Sequence, residues 1–445
     1  MQNLKYNLYF KIGAIVLIIL LLLIPTAMIH QLINERENRQ WEAVEEVSSK
    51  WGNEQNLTGP FISIPYNKWE KISSPQDNSL KLVKSKEYLH ILPEKLEIIG
   101  DIEPEKRNRG IYDIVVYQST LKIKGQFKGI DASSIDILPE DMLIDQAELS
   151  LGISDLRGLE KQVYLDWEGK QYAFNSGLST YDLASEGITT RIKFDPFDSL
   201  SHSFELDLHL KGSAYLYFSP LGKTTDVHIK SDWENPSFNG AFLPDERELE
   251  NGFNAKWNIL HVNRNYPQAW KGDAFQIDDS RFGIDLLLPV DNYQKTYRSV
   301  EYAILFIVFT FLVFFFIEIR QKVYIHPIQY ILVGMALIVF YTLLLSISEH
   351  IQFNLAFFIS ALATILLIAA YSRAILKSSS LVVLITGILS ILYGFIFVII
   401  QVQDYALLMG SLGIFGILAL VMYFSRKIDW SQIQISDKKE NHPTE

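Results

Sequence analysis

Apolar residues are concentrated in six long runs, one near the N-terminus and five in succession towards the C-terminus. The runs cover about residues 12–29, 302–319, 328–347, 353–371, 381–400 and 405–424. Each has about 18 to 20 residues, the length that an α-helix needs to cross a hydrocarbon core of ~30 Å. The pattern predicts a polytopic α-helical membrane protein with six spans.

The first run allows two interpretations, a cleaved signal peptide or an uncleaved anchor. Lys5 and Lys11 precede it, as both alternatives require. The apolar residues continue through Pro25 to Ile29 without a small-x-small cleavage signal. A signal peptide normally ends at such a signal, so the run favours a transmembrane anchor.

The segment between the first and second runs, residues 31–297, has a different pattern. In residues 31–51, Trp41, Val44, Val47 and Trp51 recur at helical spacing, which predicts an amphipathic helix. Short runs rich in Ile, Val, Tyr and Leu follow, bounded by Gly and Pro, and residues 203–210 alternate strictly between polar and apolar. These features are typical of β-strands. They predict a mainly-β domain built as an antiparallel sandwich, or as two stacked sandwich-like halves.

Basic residues alternate along the connections between spans. The connections after the second, fourth and sixth spans contain Arg320, Lys322, Arg373, Lys377, Arg426 and Lys427. The connections after the third and fifth spans contain no Lys or Arg. By the positive-inside rule, both termini are cytoplasmic and residues 31–297 are extracytoplasmic. The predicted domains are therefore 1–30 (N-terminus and anchor), 31–297 (mainly β), 298–425 (five-helix block) and 426–445 (cytoplasmic tail).

Charge narrows the range of partners. The chain of 445 residues has a net charge of -11, and residues 31–297 hold 29 Lys and Arg against 43 Asp and Glu. An acidic domain argues against nucleic acid or anionic lipid head groups as its main partner. The apolar runs make the lipid bilayer one partner, and the sequence leaves the oligomeric state undetermined. There is no cysteine, which excludes disulfides, thiolate metal sites and cysteine nucleophiles.

No motif in the sequence indicates a reaction, a cofactor or a metal. The histidines of the 31–297 segment are scattered along it: His90, His202, His209, His228 and His261. A metal site assembled in space is one interpretation, and surface or edge histidines are the favoured one. Since no acid/base pair or nucleophile is recognisable, an enzyme is the least favoured class of function.

Five polar residues fall at the extracytoplasmic ends of the predicted spans: Glu301, Glu349, His350, Gln401 and Asp404. Ionisable groups beside a membrane often have a function, here a proton relay, a substrate mouth or a docking point for the β domain. The alternative is a set of polar helix caps wetted at the interface. This group is the candidate functional cluster.

Two further patterns concern helix packing. Glu318 and Arg320 are expected to form an interfacial pair at the cytoplasmic face. Small residues line one face of each of the last two spans, namely Gly387, Ser390 and Gly394, and Ala406, Gly410 and Gly413. Such faces allow helix backbones to approach closely, so they predict that these two spans pack on each other.

Several short motifs together resemble a known family. In the membrane block they are YQKTYRSVEY (residues 293–302), HPIQY (326–330), SISEH (346–350) and RKIDW (426–430). In the β domain they are TGP (58–60), RGIY (109–112), GISDLRG (152–158), LPDER (243–247) and NRNYP (263–267). These motifs are similar to those of the CreD family of bacterial inner-membrane, cell-envelope-integrity proteins, over nearly the whole chain.

The resemblance implies an inner (plasma) membrane protein connected with a two-component envelope-stress regulon, colicin tolerance and the response to β-lactams. The resemblance identifies no catalytic residue and no ligand in this sequence. The leading hypothesis is a non-enzymatic protein whose β domain binds an envelope protein or cell-wall component. The alternative is a transporter or lipid-handling permease with the polar cluster as its outer mouth. Transport sites usually lie near the midplane at broken helices, and these spans have little such interruption.

Overall fold

The chain divides into two compact units. In this computed structural model, residues 8–73, 80–131, 135–286, 292–321, 323–402 and 405–426 are described. One unit combines Met1–Gln40 with Val290–Glu445 and is helical, and the other, Trp41–Pro289, is mainly β-sheet. We call them the helical unit and the β unit.

Seven α-helices occur in the described residues. They are α1 (Leu8–Trp51), α2 (Asn292–Glu301), α3 (Ala303–Gln321), α4 (Pro327–Ser348), α5 (Phe353–Leu376), α6 (Ser379–Gln401) and α7 (Ala406–Ser425). The last five coincide closely with the five apolar runs near the C-terminus. The short helix α2 is amphipathic, and sequence analysis did not separate it from the segment before it.

Helix α1 joins two segments that sequence analysis treated separately. It runs for 44 residues, from the apolar anchor through Pro25 and on to Trp51. After Pro25 the helical sequence contains no Gly or Pro, and ion pairs one turn apart link Glu35 to Arg39 at 2.6 Å and Glu46 to Lys50 at 2.8 Å. Such i,i+4 pairs stabilise exposed helix, so the polar half continues the apolar half.

Five of the described helices are long and apolar enough to cross a membrane. They are Phe10–Trp51, Ala303–Gln321, Pro327–Ser348, Phe353–Leu376 and Ser379–Gln401. Helix α7 contains a shorter apolar stretch, Leu408–Tyr423. The N-terminal apolar helix and four further candidate spans therefore enclose the β unit in the sequence.

The β unit contains strands β1 (Gln55–Ser73), β2 (Leu80–Ile91), β3 (Lys95–Arg109), β4 (Tyr112–Lys128), β5 (Glu148–Ile153), β6 (Tyr164–Trp167), β7 (Lys170–Ala173), β8 (Asn175–Ser176), β9 (Gly187–Arg191), β10 (Ser201–Ser213), β11 (Tyr215–Phe218), β12 (Thr224–Ser231), β13 (Pro236–Gly240), β14 (Glu246–Glu248), β15 (Phe253–Leu260), β16 (Ala269–Lys271) and β17 (Phe282–Leu286).

The strands form two sheets. The first has the order β13-β17-β11-β1-β5-β9-β8, with β2 paired to β1 and β16 paired to β2. The second has the order β14-β15-β12-β3-β4-β10-β6-β7. Most pairings are antiparallel, as predicted, but β1 pairs with β11 and β3 pairs with β12 in parallel. Parallel pairing requires a long crossover, and the pattern of single strands does not reveal it.

The two sheets share one hydrophobic core. Trp257 on β15 of the second sheet contacts Phe282 on β17 of the first, with ring centroids 5.5 Å apart. The predicted alternation of residues 203–210 is confirmed, since Phe204, Leu206 and Leu208 are buried and the residues between them face outwards. Apolar side chains on one face of each strand therefore form the core between the sheets.

The predicted packing of the last two helices on each other is confirmed, but the small-residue face of α6 does not form the contact. A Cβ added at Gly387 or Gly394 of α6 would meet nothing within 4 Å. Gly413 of α7 instead faces the ring of Phe395 of α6, which leaves no room for a side chain at that position. The two helices pack through an aromatic ring on a glycine, so the predicted face of α6 was wrong.

Candidate functional site

The candidate site lies where helix α4 ends in the helical unit. Glu349 is the C-terminal cap of α4, and its side chain is only 9% exposed. The hydroxyl of Tyr293 donates a hydrogen bond to Oε1 of Glu349 at 3.0 Å, and Nε of Arg36 lies 3.8 Å from the same oxygen. A buried carboxylate thus has a neutral donor and a cation as partners. We call Arg36, Asn292, Tyr293 and Glu349 the Glu349 cluster.

Helix α2 brings two members of this cluster to the end of α4. Asn292 and Tyr293 form its first turn, and its buried face includes Thr296, Ser299 and Val300. Nδ2 of Asn292 donates to the backbone carbonyl of Ser348 at 2.7 Å. The last carbonyls of a helix lack partners within the helix, so the hydrogen bond from Asn292 caps α4. Tyr293 contacts Glu349, the residue after Ser348.

Arg36 reaches the cluster from α1. Its side chain is 39% exposed, so it is much more solvated than Glu349. Six residues earlier on α1, the ring of His30 packs against Tyr297 of α2 with centroids 4.7 Å apart. Three helices, α1, α2 and α4, therefore build the Glu349 cluster.

The other predicted members of the cluster lie apart from Glu349. Glu301 and His350 are exposed, and Nε2 of Gln401 donates to Oδ1 of Asn354 at 2.5 Å. Asp404 lies outside the described residues. Among described side chains, no hydrogen bond or ion pair joins Glu349 to Glu301, His350 or Gln401. Among the described candidate residues, Glu349 is the one that pairs with a buried tyrosine and an arginine.

Sequence reasoning did not name Arg36, Asn292 or Tyr293 as site residues. One signal was available, because Tyr293 opens the YQKTYRSVEY motif and recurs at helical spacing with Thr296 and Val300. Arg36 gave no signal of its own, being one of several charges in a polar helix. Its role depends on a contact between helices more than 300 residues apart in the sequence.

A second polar cluster in the helical unit consists of Lys11, Glu318, Tyr330 and Ile325. Nζ of Lys11 lies 3.1 Å from Oε1 of Glu318, with side chains 7% and 1% exposed. Oε2 of Glu318 accepts from the hydroxyl of Tyr330 at 2.9 Å, and Oε1 accepts from the backbone N–H of Ile325 at 3.2 Å. Lys11 also donates to the backbone carbonyl of Ile325.

This second cluster corrects the expected Glu318–Arg320 pair. Glu318 is buried against Lys11, whereas Arg320 is exposed. Two residues along a helix point in directions about 200° apart, so Glu318 and Arg320 do not share a face. A buried charge needs an ionic partner and several hydrogen bonds, and Glu318 obtains them from α1, from α4 and from Ile325 in the connection before α4.

Two histidines of the β unit are buried, contrary to the expectation of surface or edge histidines. His90 is 0% exposed, and it lies on β2 between strands β1 and β16. His202 is 8% exposed, stacked on Trp167 with centroids 5.6 Å apart. His209, by contrast, is only partly buried. The expectation was wrong for His90 and His202 because their strands are covered on the face that these rings occupy.

His90 joins a row of three polar side chains. Its Nδ1 lies 3.0 Å from Oγ of Ser63, and its Nε2 lies 2.8 Å from Oδ2 of Asp182. The hydrogen bond to His90 lowers the pKa of Asp182, against the opposing effect of burial. A serine, a histidine and an aspartate are the side-chain types of a nucleophilic triad. Ser63 is 2% exposed, however, and the row holds the loop of Asp182 against the core.

No group of three or more metal-ligating side chains was found among the described residues. Several acidic side chains of the β unit form pairs with cations at its surface. Examples are Lys122 with Glu205 at 2.6 Å and Lys256 with Glu246 at 2.7 Å. Such solvent-exposed pairs contribute little to stability and carry no chemistry of their own.

Comparison with known proteins agrees with the motifs and the order of elements. Residues 7–431 match the family described as "Inner membrane protein CreD". The inner membrane protein CreD of Escherichia coli strain K12 is 30% identical over 441 residues, which cover 98% of this chain and 96% of that protein.

Among solved structures, an M1 zinc metallopeptidase from Deinococcus radiodurans aligns with 38% of each chain at 8% identity. Its TM-score is 0.18, too low to carry an argument about fold or function. Kinship therefore follows from the sequence match, which extends from the start of α1 past the end of α7. The chain belongs to the CreD family of inner membrane proteins.

Proposed function

We propose that this multi-pass inner-membrane protein acts in the cell-envelope stress response, and that its β unit binds an envelope protein or cell-wall component without catalysing a reaction. In this proposal six helices span the membrane, with α7 as the sixth. Both termini are cytoplasmic, and residues 31–297 are extracytoplasmic. The family match supports the membrane and the envelope as the setting.

One observation carries the binding role. The β unit, Trp41–Pro289, has its own two-sheet core and is inserted between an apolar helix and four further candidate spans. Anchoring in the bilayer needs only the apolar helices, so a folded unit of this size has another purpose. A rigid β-scaffold with variable loops is a frequent solution for recognition.

The net charge of the β domain restricts the partner. With 43 acidic and 29 basic residues in 31–297, the domain repels nucleic acid and anionic surfaces at long range. A neutral or basic envelope component is the chemistry that this charge favours.

Replacing the β domain tests the binding role. Residues 31–297 are exchanged for an unrelated exported domain of similar length, in a host that lacks its own copy of the gene. Growth under a β-lactam is compared with that of the unmodified chain, and membrane insertion is checked by protease protection. We expect the exchanged chain to insert and to lose tolerance. Full tolerance without the β domain would overturn the proposal.

The absence of cysteine makes the topology directly testable. Tyr181 in the β unit is 74% exposed, and Lys377 follows α5. A membrane-impermeant maleimide should label Tyr181→Cys in whole cells, and should label Lys377→Cys only after permeabilisation. The opposite labelling would contradict the proposed orientation.

A permease is the second candidate, and the Lys11–Glu318 cluster is the observation that favours it. Ionisable side chains inside apolar helices often mark an ion or substrate pathway. Substituting Glu349, His350 and Asp404 together with Gln or Ala tests the proposed outer mouth, and Glu318→Gln tests the inner cluster. If both variants keep the phenotype and the proton flux of reconstituted vesicles, the permease is excluded.

A further inference from the structure

A pocket of about 490 Å³ lies on the β unit. It forms where β11 runs between β1 and β17. Its lining includes Asn56, Tyr215, Tyr217, Asp278, Asp279 and Arg281. Small-molecule sites in proteins have volumes of roughly 300–1,000 Å³, so the pocket is large enough for one or two rings of a ligand.

Two tyrosines form an aromatic shelf in this pocket. Tyr215 and Tyr217 occupy alternate positions of β11, so both rings are on the same face of the strand. Their centroids are 4.6 Å apart, and both side chains are half-buried. The hydroxyl of Tyr217 donates to Oδ1 of Asp285 at 2.8 Å, which holds its ring in place. The shelf is therefore fixed before any ligand binds.

Planar polar groups stand beside the shelf. Asn56 is 8% exposed, and with its amide oxygen turned to Arg281 it accepts from Nε at 2.9 Å. The guanidinium of Arg281 also donates to the carboxylate of Asp278. An amide and a carboxylate thus hold Arg281 in one orientation, and the exposed carboxylate of Asp279 lies next to it.

Gly240 also lines the pocket, and its backbone lies close to the backbone of Arg281. Its φ of +99° lies in the region that favours glycine, and an added Cβ would collide with the backbone carbonyl of Arg281. The backbone N–H of Ala241 donates to that carbonyl at 2.8 Å. This contact fixes the strand end beside Arg281, so the polar rim is as rigid as the shelf.

The charges of the pocket disfavour an anionic ligand. Asp278 neutralises Arg281, and Asp279 and the nearby Asp285 add negative charge. A phosphate or carboxylate ligand would meet these carboxylates and would have to compete for a guanidinium already bonded to Asp278. A purely apolar ligand would cover the exposed carboxylate of Asp279 without replacing its hydrogen bonds to water.

We propose that the Tyr215–Tyr217 pocket binds a neutral saccharide segment. A sugar ring has an apolar C–H face that packs on an aromatic ring, and its hydroxyls both donate and accept hydrogen bonds. The two tyrosine rings of the shelf pack on the C–H face of the sugar. Asn56, Arg281 and Asp279 form hydrogen bonds with its hydroxyls. This inference rests on the proposed function, since it assigns the bound envelope component to the glycans.

Saccharide binding is measured on the full purified chain in an amine-oxide detergent, because alkyl-glycoside detergents would compete for the pocket. The probes are neutral trisaccharides of glucose, of galactose and of N-acetylglucosamine, with inorganic phosphate as the anionic comparison. Saturation-transfer NMR reports which ligand protons touch the protein. At about 10 mM, which is tenfold above a Kd of about 1 mM, we expect transfer to the ring C–H protons of at least one trisaccharide.

Substitutions assign that binding to the pocket. Tyr215→Ala should raise Kd about tenfold, which is about 1.4 kcal/mol, and Asp279→Asn should raise it less. Tyr215→Phe keeps the aromatic face and should bind as the unmodified chain does, which guards against a folding defect in the alanine variant. Tyr181→Ala is the matched control, since Tyr181 is exposed on the same unit and does not line the pocket.

Three outcomes would overturn the proposal. They are no transfer from any trisaccharide, equal binding by Tyr215→Ala and Tyr181→Ala, or displacement of the saccharide by inorganic phosphate. None of them affects the β-domain exchange, which depends only on loss of tolerance. A failed saccharide assay with a successful exchange would indicate a protein as the bound component, so the two proposals fail separately.

Discussion

Lys11 and Glu318 form a buried ion pair between the first and third helices of the chain, with Nζ and Oε1 3.1 Å apart. Tyr330 and the backbone of Ile325 add hydrogen bonds to the carboxylate. The rings of Tyr324 and Tyr330 lie 4.9 and 5.2 Å from the ammonium. This pair fixes the N-terminal end of α1 to the connection between α3 and α4.

Breaking one side of this pair should destabilise the helical unit. Glu318→Gln leaves the Lys11 ammonium buried without an ionic partner, a loss of about 3–5 kcal/mol in comparable pairs. Lys11→Met together with Glu318→Leu removes both charges and should recover most of that loss. The effect is measured on the detergent-solubilised chain. After heating to a series of temperatures, the fraction of protein that still elutes as a monodisperse peak in size-exclusion chromatography is recorded for each variant.

Arg320→Gln is the matched control for this pair, because Arg320 lies on the same helix as Glu318 and is exposed. Its effect should remain within about 0.5 kcal/mol. If Arg320→Gln were as harmful as Glu318→Gln, the Lys11–Glu318 pair would not be the stabilising contact.

Trp51, the last residue of α1, should be important for packing inside the β unit. The guanidinium carbon of Arg107 lies 3.7 Å from its ring centroid, and Nζ of Lys211 lies 4.4 Å from it. Its indole N–H donates to the carbonyl of Tyr117 at 3.2 Å. Trp51→Ala removes these contacts and should cost about 2–4 kcal/mol, somewhat below a fully buried tryptophan.

Trp41→Ala tests whether that cost is specific. Trp41 lies on the same helix and is 64% exposed, so its removal should change stability by less than about 0.5 kcal/mol. The shift of the tryptophan emission maximum on heating reports unfolding in both variants. Equal midpoints for the two variants would contradict a special role for Trp51.

The family and the apolar helices were predictable from the sequence because both signals are local. The CreD motifs are short contiguous runs, and their assignment is confirmed over residues 7–431. Apolar runs of 18 or more residues likewise specify helices without knowledge of their neighbours. The alternation in residues 203–210 identified a strand with one buried face for the same reason.

Contacts between distant segments were not predictable in this way. The pairing of Lys11 with Glu318, rather than Arg320 with Glu318, depends on which helix faces α3. The burial of His90 depends on β16 pairing with β2 from more than 170 residues further along the chain. The packing of Gly413 on Phe395 depends on the rotation of α6, which its uniformly apolar sequence does not specify.

Glu349 and Glu301 should differ sharply in their contribution to stability. Glu349 is 9% exposed and bonded to Tyr293, whereas Glu301 is exposed at the end of α2. Tyr293→Phe removes a hydrogen bond to a charged acceptor, worth about 1.5–3 kcal/mol, and Glu349→Gln should cost a similar amount. Glu301→Gln should cost less than about 0.5 kcal/mol.

A double-mutant cycle on Tyr293 and Glu349 measures the coupling directly. The combined variant should lose less than the sum of the two single variants, since each single change already breaks the same bond. Additive losses would contradict the hydrogen bond as the stabilising contact. The Glu301→Gln chain, prepared in the same detergent, gives the baseline for an exposed carboxylate.

Acid should destabilise the β unit through Asp182. The hydrogen bond to His90 lowers the pKa of Asp182 below its unfolded value, which is about 3.9 for an aspartate. A carboxyl group with a lowered folded pKa stabilises the protein above its unfolded pKa, and that stability is lost as the pH falls through the folded pKa. The contribution of Asp182 is therefore present at neutral pH and disappears below about pH 4.

Asp182→Asn should lower the midpoint temperature of unfolding at about pH 7. The further decrease of that temperature between about pH 5 and pH 3 should be smaller in the variant than in the unmodified chain. Asp207→Asn is the control, because Asp207 is an exposed carboxylate on β10 and should leave the pH dependence unchanged. Near-ultraviolet circular dichroism of the full chain follows the tertiary structure of the β unit on heating at each pH. Parallel curves for Asp182→Asn and the unmodified chain would mean that the His90–Asp182 bond does not set the acid sensitivity of the fold.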